Sequence, residues 1–293
     1  MIERVLILGT GLLGASTGLA LRAAGFSGSI CGWDKDARQS QTALALKAID
    51  SVPADQQAAL SAARDSQLIV LATPVYAILD WMEQLAGVLS PCHLVTDVGS
   101  VKALITSTGN RLFNQPGRAG FLPGHPMAGK EIGGAADADG ALFQGAAWIF
   151  TGEADADSSP SPEAAAIAKG WRQWVEAFGC SIVELDATRH DELVAWVSHL
   201  PQFLSTALTA LLQAEVGDAP ELTQIGGRAL REMTRLGSSP YSMWRDIALT
   251  NTENVANAIQ HLEQRLAHLR ENLRTPQLRE EFEEANGFRK LQK

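Results

Sequence analysis

The chain has 293 residues, of which 46% are hydrophobic and 19% are charged, and its 24 basic and 33 acidic side chains give a formal net charge of −9. This length allows two domains with a core of full size. The acidic balance argues against a general surface for nucleic acid or for an anionic membrane, whereas a locally basic cleft can still bind a small anionic molecule.

The cysteines and the apolar runs indicate the compartment. Cys31, Cys92 and Cys180 lie far apart without a C-x-x-C pair, which predicts neither a zinc site nor a disulfide framework. No apolar run reaches the length of a membrane span, and a strand begins almost at the N-terminus, which leaves no room for a signal peptide. We therefore expect a cytoplasmic protein without a metal site or a membrane segment.

A glycine-rich motif follows the first predicted strand. A strand is predicted over residues 4–8, where Val-Leu-Ile-Leu follows Arg4 as a continuous apolar run typical of a buried parallel strand, and a helix is predicted over residues 15–24. The G-x-G-x-x-G motif between them is expected to contact a cofactor through Gly9, Gly11, Leu12, Leu13 and Gly14. Gly9 permits a tight turn, Gly11 lets a pyrophosphate approach the backbone, and Gly14 lets the helix pack on the strand. We expect a dinucleotide whose phosphates lie at the helix N-terminus.

Asp34 follows the second predicted strand, residues 29–33, and stands twenty positions after Gly14. A carboxylate at this place accepts hydrogen bonds from an adenosine ribose, which favours NAD over NADP. Lys35 and Arg38 can accommodate a 2′-phosphate if Asp34 turns away, so NADP stays possible. Asp34 is also a candidate N-cap for the helix that follows, but we expect cofactor binding to be its main role.

Two further strands, at residues 68–72 and 93–97, alternate with helices as in a doubly wound sheet. The first leads into Thr73-Pro74 at the nicotinamide side of such a sheet. Ser100 lies where the second delivers its carboxyl end into the same crevice. Ser100 is equally a candidate N-cap for a helix expected from Val101 onwards.

His125 is the main catalytic candidate. It lies in the segment 124–131, G-H-P-M-A-G-K-E, directly after the predicted strand residues Phe121 and Leu122. Prolines stiffen the chain on both sides of the strand exit, and glycines let the backbone pass close to a ligand. His125 is thus expected at the carboxyl end of a strand, where open α/β sheets bind ligands; the alternative is a loop histidine without a partner.

The period of the apolar residues changes near Asp186. The elements before it are predicted as a strand, an exposed acidic loop, an amphipathic helix and a last strand, at residues 147–151, 152–162, 163–178 and 181–185. Beyond it the sequence has only helical periodicity. The predicted fold is an α/β, Rossmann-type doubly wound domain over residues 1–186, followed by an all-α dimerisation domain over residues 187–293.

His199 lies in the first long helix of this region, predicted over residues 191–215. Pro201 is expected to bend the helix there, because it removes the hydrogen bond to the carbonyl of Val197. A functional residue and a core histidine at a bend are equally open interpretations.

Two more helical patterns suggest contacts. A helix predicted over residues 221–236 carries Arg228, Arg231 and Arg235 on one face, which either binds carboxylates or is solvated. A later helix has an apolar seam formed by Val255, Ile259, Leu262, Leu266, Leu269 and Leu273. This heptad-like seam predicts pairing with another helix, for which a second subunit is the expected source.

Five features follow one another in a specific order along the chain. They are Gly9-x-Gly11-x-x-Gly14, D-V-G-S-V-K at 97–102, G-H-P-M-A-G at 124–129 with Glu131, S-H-L-P at 198–201, and Arg235. Only the first is common to many oxidoreductases. In this combination the chain resembles the prephenate/arogenate dehydrogenase family of tyrosine biosynthesis over residues 3 to 275.

The resemblance implies oxidative decarboxylation of prephenate, arogenate or both, to 4-hydroxyphenylpyruvate or tyrosine, with hydride transfer to NAD or NADP. It implies a homodimer with the active site between its two domains. His125 would be the general base toward the ring hydroxyl, at a pKa suited to neutral pH, with Ser100 hydrogen-bonding nearby. Arg235 would bind a substrate carboxylate, and Glu131 would form an ionic gate with it.

The chain departs from the family pattern at Gln202. Some members have a second histidine there, in S-H-L-P-H, next to the histidine that His199 matches. Gln carries no charge, so the contacts around the substrate are expected to differ, and the choice between prephenate and arogenate stays open.

Two other interpretations compete with the resemblance. One is another two-domain NAD(P)-dependent dehydrogenase with a helical second domain; these enzymes usually use a lysine in that domain, whereas this sequence has none between residues 187 and 289. The other is a dinucleotide-sensing protein without turnover. The presence of His125, Ser100 and Arg235 speaks against this second interpretation, and a small molecule is the expected partner.

Overall fold

The computed structural model describes residues 2–152, 160–217 and 219–291, apart from the side chains of Thr223 and Leu291. Most of the predicted loop at residues 152–162 lies outside the described residues. Within these ranges, no helix combines the length and the apolar character that crossing a bilayer requires.

Five parallel strands form the central sheet, in the spatial order β2-β1-β3-β4-β5. They are β1 (Arg4–Leu8), β2 (Ser29–Trp33), β3 (Leu68–Leu71), β4 (Leu94–Asp97) and β5 (Gly120–Leu122). The apolar runs are continuous because both faces of the sheet are buried: Val5 and Ile7 enter one core, and Leu6 and Leu8 enter the other. The predicted doubly wound sheet is confirmed.

Five helices lie between these strands in the chain, a sixth follows them, and all six pack around the sheet region. They are α1 (Leu12–Ala23), α2 (Ala37–Ala45), α3 (Gln56–Asp65), α4 (Val75–Ala86), α5 (Ala103–Leu112) and α6 (Pro162–Ala177). The chain passes from β1 to β2 on one side and then returns to β3 on the other, so the order of strands reverses between β1 and β3. In open α/β sheets a crevice forms at the carboxyl ends of such a pair.

The glycines after β1 shape this crevice. Gly9 has a φ of +93°, and a Cβ on it would lie 2.4 Å from the carbonyl oxygen of Ala72. A Cβ on Gly14 would lie 1.8 Å from the carbonyl oxygen of Gly9, whereas a Cβ on Gly11 would meet no atom within 4 Å. Gly9 and Gly14 are therefore required for packing, and Gly11 borders open space.

His125 lies in a second, smaller sheet rather than at the end of a strand in the central one. This sheet has the order β6-β7-β8, with β6 (Gly124–Pro126) antiparallel to β7 (Ala147–Thr151) and β7 parallel to β8 (Ser181–Leu185). The predicted position is wrong because β5 stops at Leu122: Pro123 has no N–H to continue the ladder, and the chain starts a new strand at Gly124.

Beyond β8, the described residues are helical. The α-helices are α7 (Ala187–Val194), α8 (Leu200–Val216), α9 (Leu222–Ile225), α10 (Arg228–Thr234), α11 (Tyr241–Thr250), α12 (Thr252–Glu271) and α13 (Gln277–Leu291). Asp186 starts this region as the N-cap of α7, and its carboxylate accepts hydrogen bonds from the N–H groups of Thr188 and Arg189. The helical second region is confirmed.

The helix predicted over residues 191–215 is two helices joined by a π-helical turn, Ala195–His199. Pro201 stands in the first turn of α8, where its missing N–H costs no hydrogen bond within that helix. The π-helical turn therefore ends at His199, close to Pro201, where the sequence predicts a bend in the helix. Such turns are frequent at functional sites.

The helix predicted over residues 221–236 is interrupted at Gly226 and Gly227. Two adjacent glycines leave the backbone without the rotational restriction that favours a helix. Arg235 begins a 3₁₀ turn, Arg235–Ser238, so it is separated from the face of α10 that carries Arg228 and Arg231.

We predict opposite outcomes for two alanine substitutions in the first loop. Gly14→Ala forces the carbonyl of Gly9 away and should lower the free energy of unfolding by about 1–3 kcal/mol or more, measured by urea denaturation. Gly11→Ala is the matched control: its Cβ meets no atom and only a better N-cap residue is lost, so it should cost no more than about 1 kcal/mol while weakening NAD binding, measured by titration calorimetry. Unchanged NAD affinity in Gly11→Ala would show that the dinucleotide does not approach this loop.

Candidate active site

The residues around the first loop fit a dinucleotide. No side chain caps the N-terminus of α1, where Gly11 is the N-cap residue, so its amide groups face the open space beside Gly11. Thr73 lies next to Gly9, and its buried hydroxyl has no hydrogen-bond partner in the described part of the chain. Pro74 is the N-cap residue of α4. These groups can hold the phosphates and the nicotinamide half of a cofactor.

Asp34 is oriented by backbone amides and does not cap α2. Its carboxylate accepts hydrogen bonds from Thr10 N and from Asp36 N, both at 2.9 Å. The N-cap of α2 is Asp36, which also pairs with the Arg38 guanidinium at 3.0 and 2.9 Å. The N-cap alternative for Asp34 is therefore wrong, and its carboxylate stays beside the glycine loop with lone pairs for ribose hydroxyls.

A buried ion pair holds the backbone in front of His125. Asp97, at the end of β4, pairs with the ammonium of Lys102, and both side chains are fully buried. Asp97 accepts a hydrogen bond from Gly124 N at 3.2 Å, and Lys102 Nζ donates to Gly124 O at 2.9 Å. Both backbone groups of Gly124 are thus fixed by the D-V-G-S-V-K segment, which sets where His125 begins. Burial lowers the pKa of Lys102, and the attraction of Asp97 opposes that change.

The ring of His125 is held from behind by a second histidine. His125 is 6% exposed, and its Nδ1 lies 2.7 Å from Nε2 of His190, whose own Nδ1 lies 2.8 Å from Asp191 Oδ1. Burial is the main cause that lowers the pKa of His125 well below its ordinary value, with His190 and Lys102 adding to it. The expectation of a pKa near neutrality is wrong for this buried ring, which is neutral at pH 7.

The N-cap role suggested for Ser100 belongs to Asp191. Helix α5 begins at Ala103, three residues after Ser100. The backbone N–H groups at its start donate hydrogen bonds to a residue of the helical region. Lys102 N donates to Asp191 Oδ1 at 2.6 Å, and Ala103 N donates to Asp191 Oδ2 at 2.9 Å. Ser100 is half-buried in the loop between β4 and α5, and its hydroxyl is not needed as a cap.

His199 is fully buried close to the same cluster. Its Nδ1 lies 3.3 Å from Asn251 Nδ2, which also donates to the carbonyl of Asp191 at 2.9 Å. Burial lowers the pKa of His199 to about 4, so the ring is neutral. Its Nε2 has no partner in the described part of the chain, and the ring meets Trp244 edge to face. An unpaired buried nitrogen is costly, and a substrate group can satisfy it.

Arg235 and Glu131 form an ion pair between the two regions. Arg235 Nη1 lies 2.7 Å from Glu131 Oε2, and the Arg235 side chain is 55% exposed. Arg228 pairs with Glu232 and Arg231 reaches Gly226 O, so only Arg235 of the three arginines meets the segment that carries His125.

Gln202 braces the turn that carries Arg235. It is buried on α8, and its amide donates to the carbonyl of Leu236 at 2.7 Å and to Thr206 Oγ1 at 3.2 Å. Its oxygen accepts a hydrogen bond from Ser239 at 3.1 Å. The neutral amide is therefore engaged by the protein itself, through the residues that follow Arg235.

Three residues of this cluster are missing from the sequence interpretation: His190, Asp191 and Asn251. The available signal was the adjacent histidine and aspartate at the entry to the helical region. That signal is weak, because nothing local pairs positions 190 and 125 across 65 residues.

Comparisons with known proteins agree with this geometry. The profile of the prephenate dehydrogenase nucleotide-binding domain matches residues 17–172, and that of the prephenate dehydrogenase dimerization domain matches residues 186–287. Prephenate dehydrogenase from Lactococcus lactis is 29% identical over 266 residues, which is 90% of this chain and 70% of that protein.

Two solved structures share the fold over nearly the whole chain. Prephenate dehydrogenase from A. aeolicus, in complex with hydroxyphenyl propionate and NAD⁺, has a TM-score of 0.82 at 30% identity and covers 99% of this chain and 96% of its own. Arogenate dehydrogenase from Synechocystis has a TM-score of 0.74 at 28% identity, with 99% and 100% covered. With both domain profiles matched, the chain belongs to the prephenate dehydrogenase family, which comprises NAD(P)-dependent oxidoreductases of tyrosine biosynthesis.

Proposed function

We propose that this chain converts prephenate, arogenate or both to 4-hydroxyphenylpyruvate or tyrosine by NAD(P)-linked oxidative decarboxylation. One observation carries the proposal: in a chain of this family, His125 is a neutral, buried base whose ring is held at Nδ1. The other ring nitrogen, Nε2, is then the atom that meets the substrate.

The bound NAD(P)⁺ supplies the hydride acceptor for C4 of the cyclohexadienol ring. This chain would hold the dinucleotide through the loop from Gly9 to Gly14, through Asp34 beside the ribose and through Thr73-Pro74 at the nicotinamide side, so that C4 could be placed against it. Fixed placement of this kind replaces the entropy that two free reactants would lose.

His125 handles the proton of the C4 hydroxyl. Its Nε2 accepts that proton as C4 loses its hydride, and the oxygen forms a carbonyl. The bond from C1 to the ring carboxylate then breaks, its electron pair completes the aromatic ring, carbon dioxide leaves, and the phenol oxygen takes the proton back. Ser100 is proposed to hydrogen-bond the same oxygen. Because aromatisation drives the reaction, orientation and one proton acceptor are sufficient.

Arg235 is proposed to bind a substrate carboxylate in exchange for Glu131. An exposed ion pair contributes little to stability, so an incoming carboxylate can replace Glu131 at small cost. His199 and Gln202 line the same side of the proposed site: the first offers its unpaired Nε2, and the second supports the Arg235 turn.

NAD is the proposed preferred cofactor. A 2′-phosphate would have to lie beside the Asp34 carboxylate, and like charges at that distance repel. Of the two candidates for binding such a phosphate, Lys35 and Arg38, the arginine is already paired with Asp36 through two hydrogen bonds.

The domain boundary, the assembly and the location complete the proposal. We place the boundary between residues 186 and 187, where β8 is followed by α7.

The apolar seam supports a homodimer: Val255 is buried at the start of α12, whereas Leu266 and Leu273 are 51% and 63% exposed. The three cysteines are free of disulfide bonds, which supports a cytoplasmic location.

Turnover tests the proposed function directly. Purified protein is given prephenate or arogenate with NAD or NADP, and the absorbance of the reduced cofactor is followed. At least one combination should react, and NAD should be the better cofactor. His125→Asn should lower kcat by roughly two to four powers of ten, because the proton acceptor is lost.

The control is His261→Asn, which makes the same substitution at an exposed histidine on α12 and should leave kcat unchanged. No reaction in all four combinations, with NAD still bound, would favour another substrate or a sensing role. A normal kcat in His125→Asn would remove His125 from the mechanism.

Arg235→Gln should chiefly raise KM, by roughly tenfold or more, because a charge-assisted hydrogen bond to the substrate is lost. Arg231→Gln is the matched control on the neighbouring helix, where the guanidinium reaches only the carbonyl of Gly226 among the described residues. Equal KM values for the two variants would contradict carboxylate binding by Arg235.

Sedimentation at micromolar concentration tests the assembly. The wild type should be a dimer, and the double variant Leu266→Lys, Leu273→Lys should be a monomer, because two charges would have to be buried in the seam. Leu46→Lys, at an exposed leucine of the sheet region, should stay dimeric. A monomeric wild type would contradict the proposed interface.

A further inference from the structure

His190 and Asp191 lie behind the ring of His125, the proposed base. The proposed function assigns neither of them a contact with the substrate. The two rings of His125 and His190 meet edge to face with their centroids 5.0 Å apart. His190 is fully buried and Asp191 is 3% exposed, so bulk water does not compete for their hydrogen bonds.

The direction of the hydrogen bonds follows from Asp191. Its two oxygens face the backbone N–H of Lys102, the backbone N–H of Ala103 and Nδ1 of His190. The two amides can only donate, so the carboxylate acts as an acceptor in this cluster. His190 therefore has its hydrogen on Nδ1.

The assignment continues through His190 to His125. Burial is the main cause that lowers the pKa of His190, so its ring is neutral, and a neutral ring with hydrogen on Nδ1 has an acceptor at Nε2. The contact of 2.7 Å then requires the hydrogen to be on Nδ1 of His125. Nε2 of His125 is left with its lone pair free.

We propose that His190 and Asp191 are positioning residues, which hold His125 in the tautomer that can accept a proton at Nε2 and stabilise the imidazolium that forms. The inference rests on the proposed function, because the proposed reaction is what requires a free Nε2 on His125. With the opposite tautomer, Nε2 would carry a hydrogen and could not take one from the substrate hydroxyl.

The charges around the pair explain why Asp191 can stabilise a cation there. Lys102 directs its ammonium to Asp97 and to Gly124 O, so those two charges offset each other. His199 is neutral. When His125 becomes an imidazolium, Asp191 is the carboxylate that its positive charge meets through the ring of His190, in a buried place where such attraction is strong.

The tautomer can be measured without substrate. In protein labelled with ¹⁵N-histidine, two-bond proton–nitrogen correlation spectra distinguish the two ring nitrogens, and His125→Asn and His190→Gln assign the signals among the six histidines. We expect hydrogen on Nδ1 and a free Nε2 in His125 of the wild type. Hydrogen on Nε2 of His125 would overturn the inference.

Two substitutions at position 190 distinguish positioning from packing. His190→Gln places an amide oxygen near the former Nε2 and can still accept from His125, whereas His190→Leu fills space without an acceptor. His190→Leu should lower kcat by roughly 10²-fold or more with KM within about threefold, since a wrongly oriented histidine base is costly. His190→Gln should recover most of that loss.

The pH dependence of kcat is a further measurement, and a residue that only fills space would not change it. A protonated His190 would lower the pKa of His125, but the neutral ring accepts a hydrogen bond from it and stabilises its imidazolium. Loss of that acceptor in His190→Leu therefore disfavours the imidazolium, and the acid limb of kcat should move to lower pH than in the wild type. His93→Gln is the control, because His93 is buried at the amino end of β4, opposite the carboxyl end that carries Asp97, and binds Arg64 O. It should change neither kcat nor the limb.

The outcomes separate the inference from the proposed function. A kcat of His190→Leu within threefold of the wild type, or equal losses in both variants with an unmoved acid limb, would overturn the inference while turnover stands. No turnover with either substrate, together with the Nδ1 tautomer of His125, would support the positioning geometry and overturn only the proposed function.

Discussion

The carboxylate of Asp191 connects the two regions of the molecule at the point where the chemistry is proposed. It binds the first amides of α5, which belongs to the sheet region, and the ring of His190, which belongs to the helical region. The N-terminus of α5 and the orientation of His125 therefore depend on the same buried group. Because each donor would be costly if left unpaired, a shift of α7 relative to the sheet would break several hydrogen bonds at once.

The ion pair of Asp97 and Lys102 complements this connection from the backbone side. A buried pair of this kind is weak evidence for stability, since the desolvation of both charges offsets much of their attraction. Its position indicates another use: it binds both the N–H and the carbonyl of Gly124 and so fixes the start of β6. Removal of one partner would leave an uncompensated buried charge, at a cost of about 3–5 kcal/mol.

The residues proposed to contact the substrate are of two kinds, an ion pair that water reaches and two buried neutral rings. Arg235 and Glu131 pair where water reaches both side chains, so the pair is weak and can be exchanged. His125 and His199 are buried neutral rings, because desolvation disfavours their charged forms. The site thus combines rigid neutral bases with an exchangeable cation. This combination suits a substrate whose carboxylate must enter and leave while its ring carbon is held still.

The sequence by itself determined the sheet, the glycine loop, the position of Asp34 after β2 and the change to helices after Asp186, because these depend on local apolar periodicity and on backbone conformations that few residues adopt. It also placed His125, Ser100, Glu131 and Arg235 in recognisable motifs. Only the tertiary structure decided that His125 lies in a second sheet, that Asp191 rather than Ser100 satisfies α5, and that His190 supports His125. The last two contacts join residues separated by 65 to 89 positions, so no local spacing predicts them; they are set by the packing of α7 against α5 and β6.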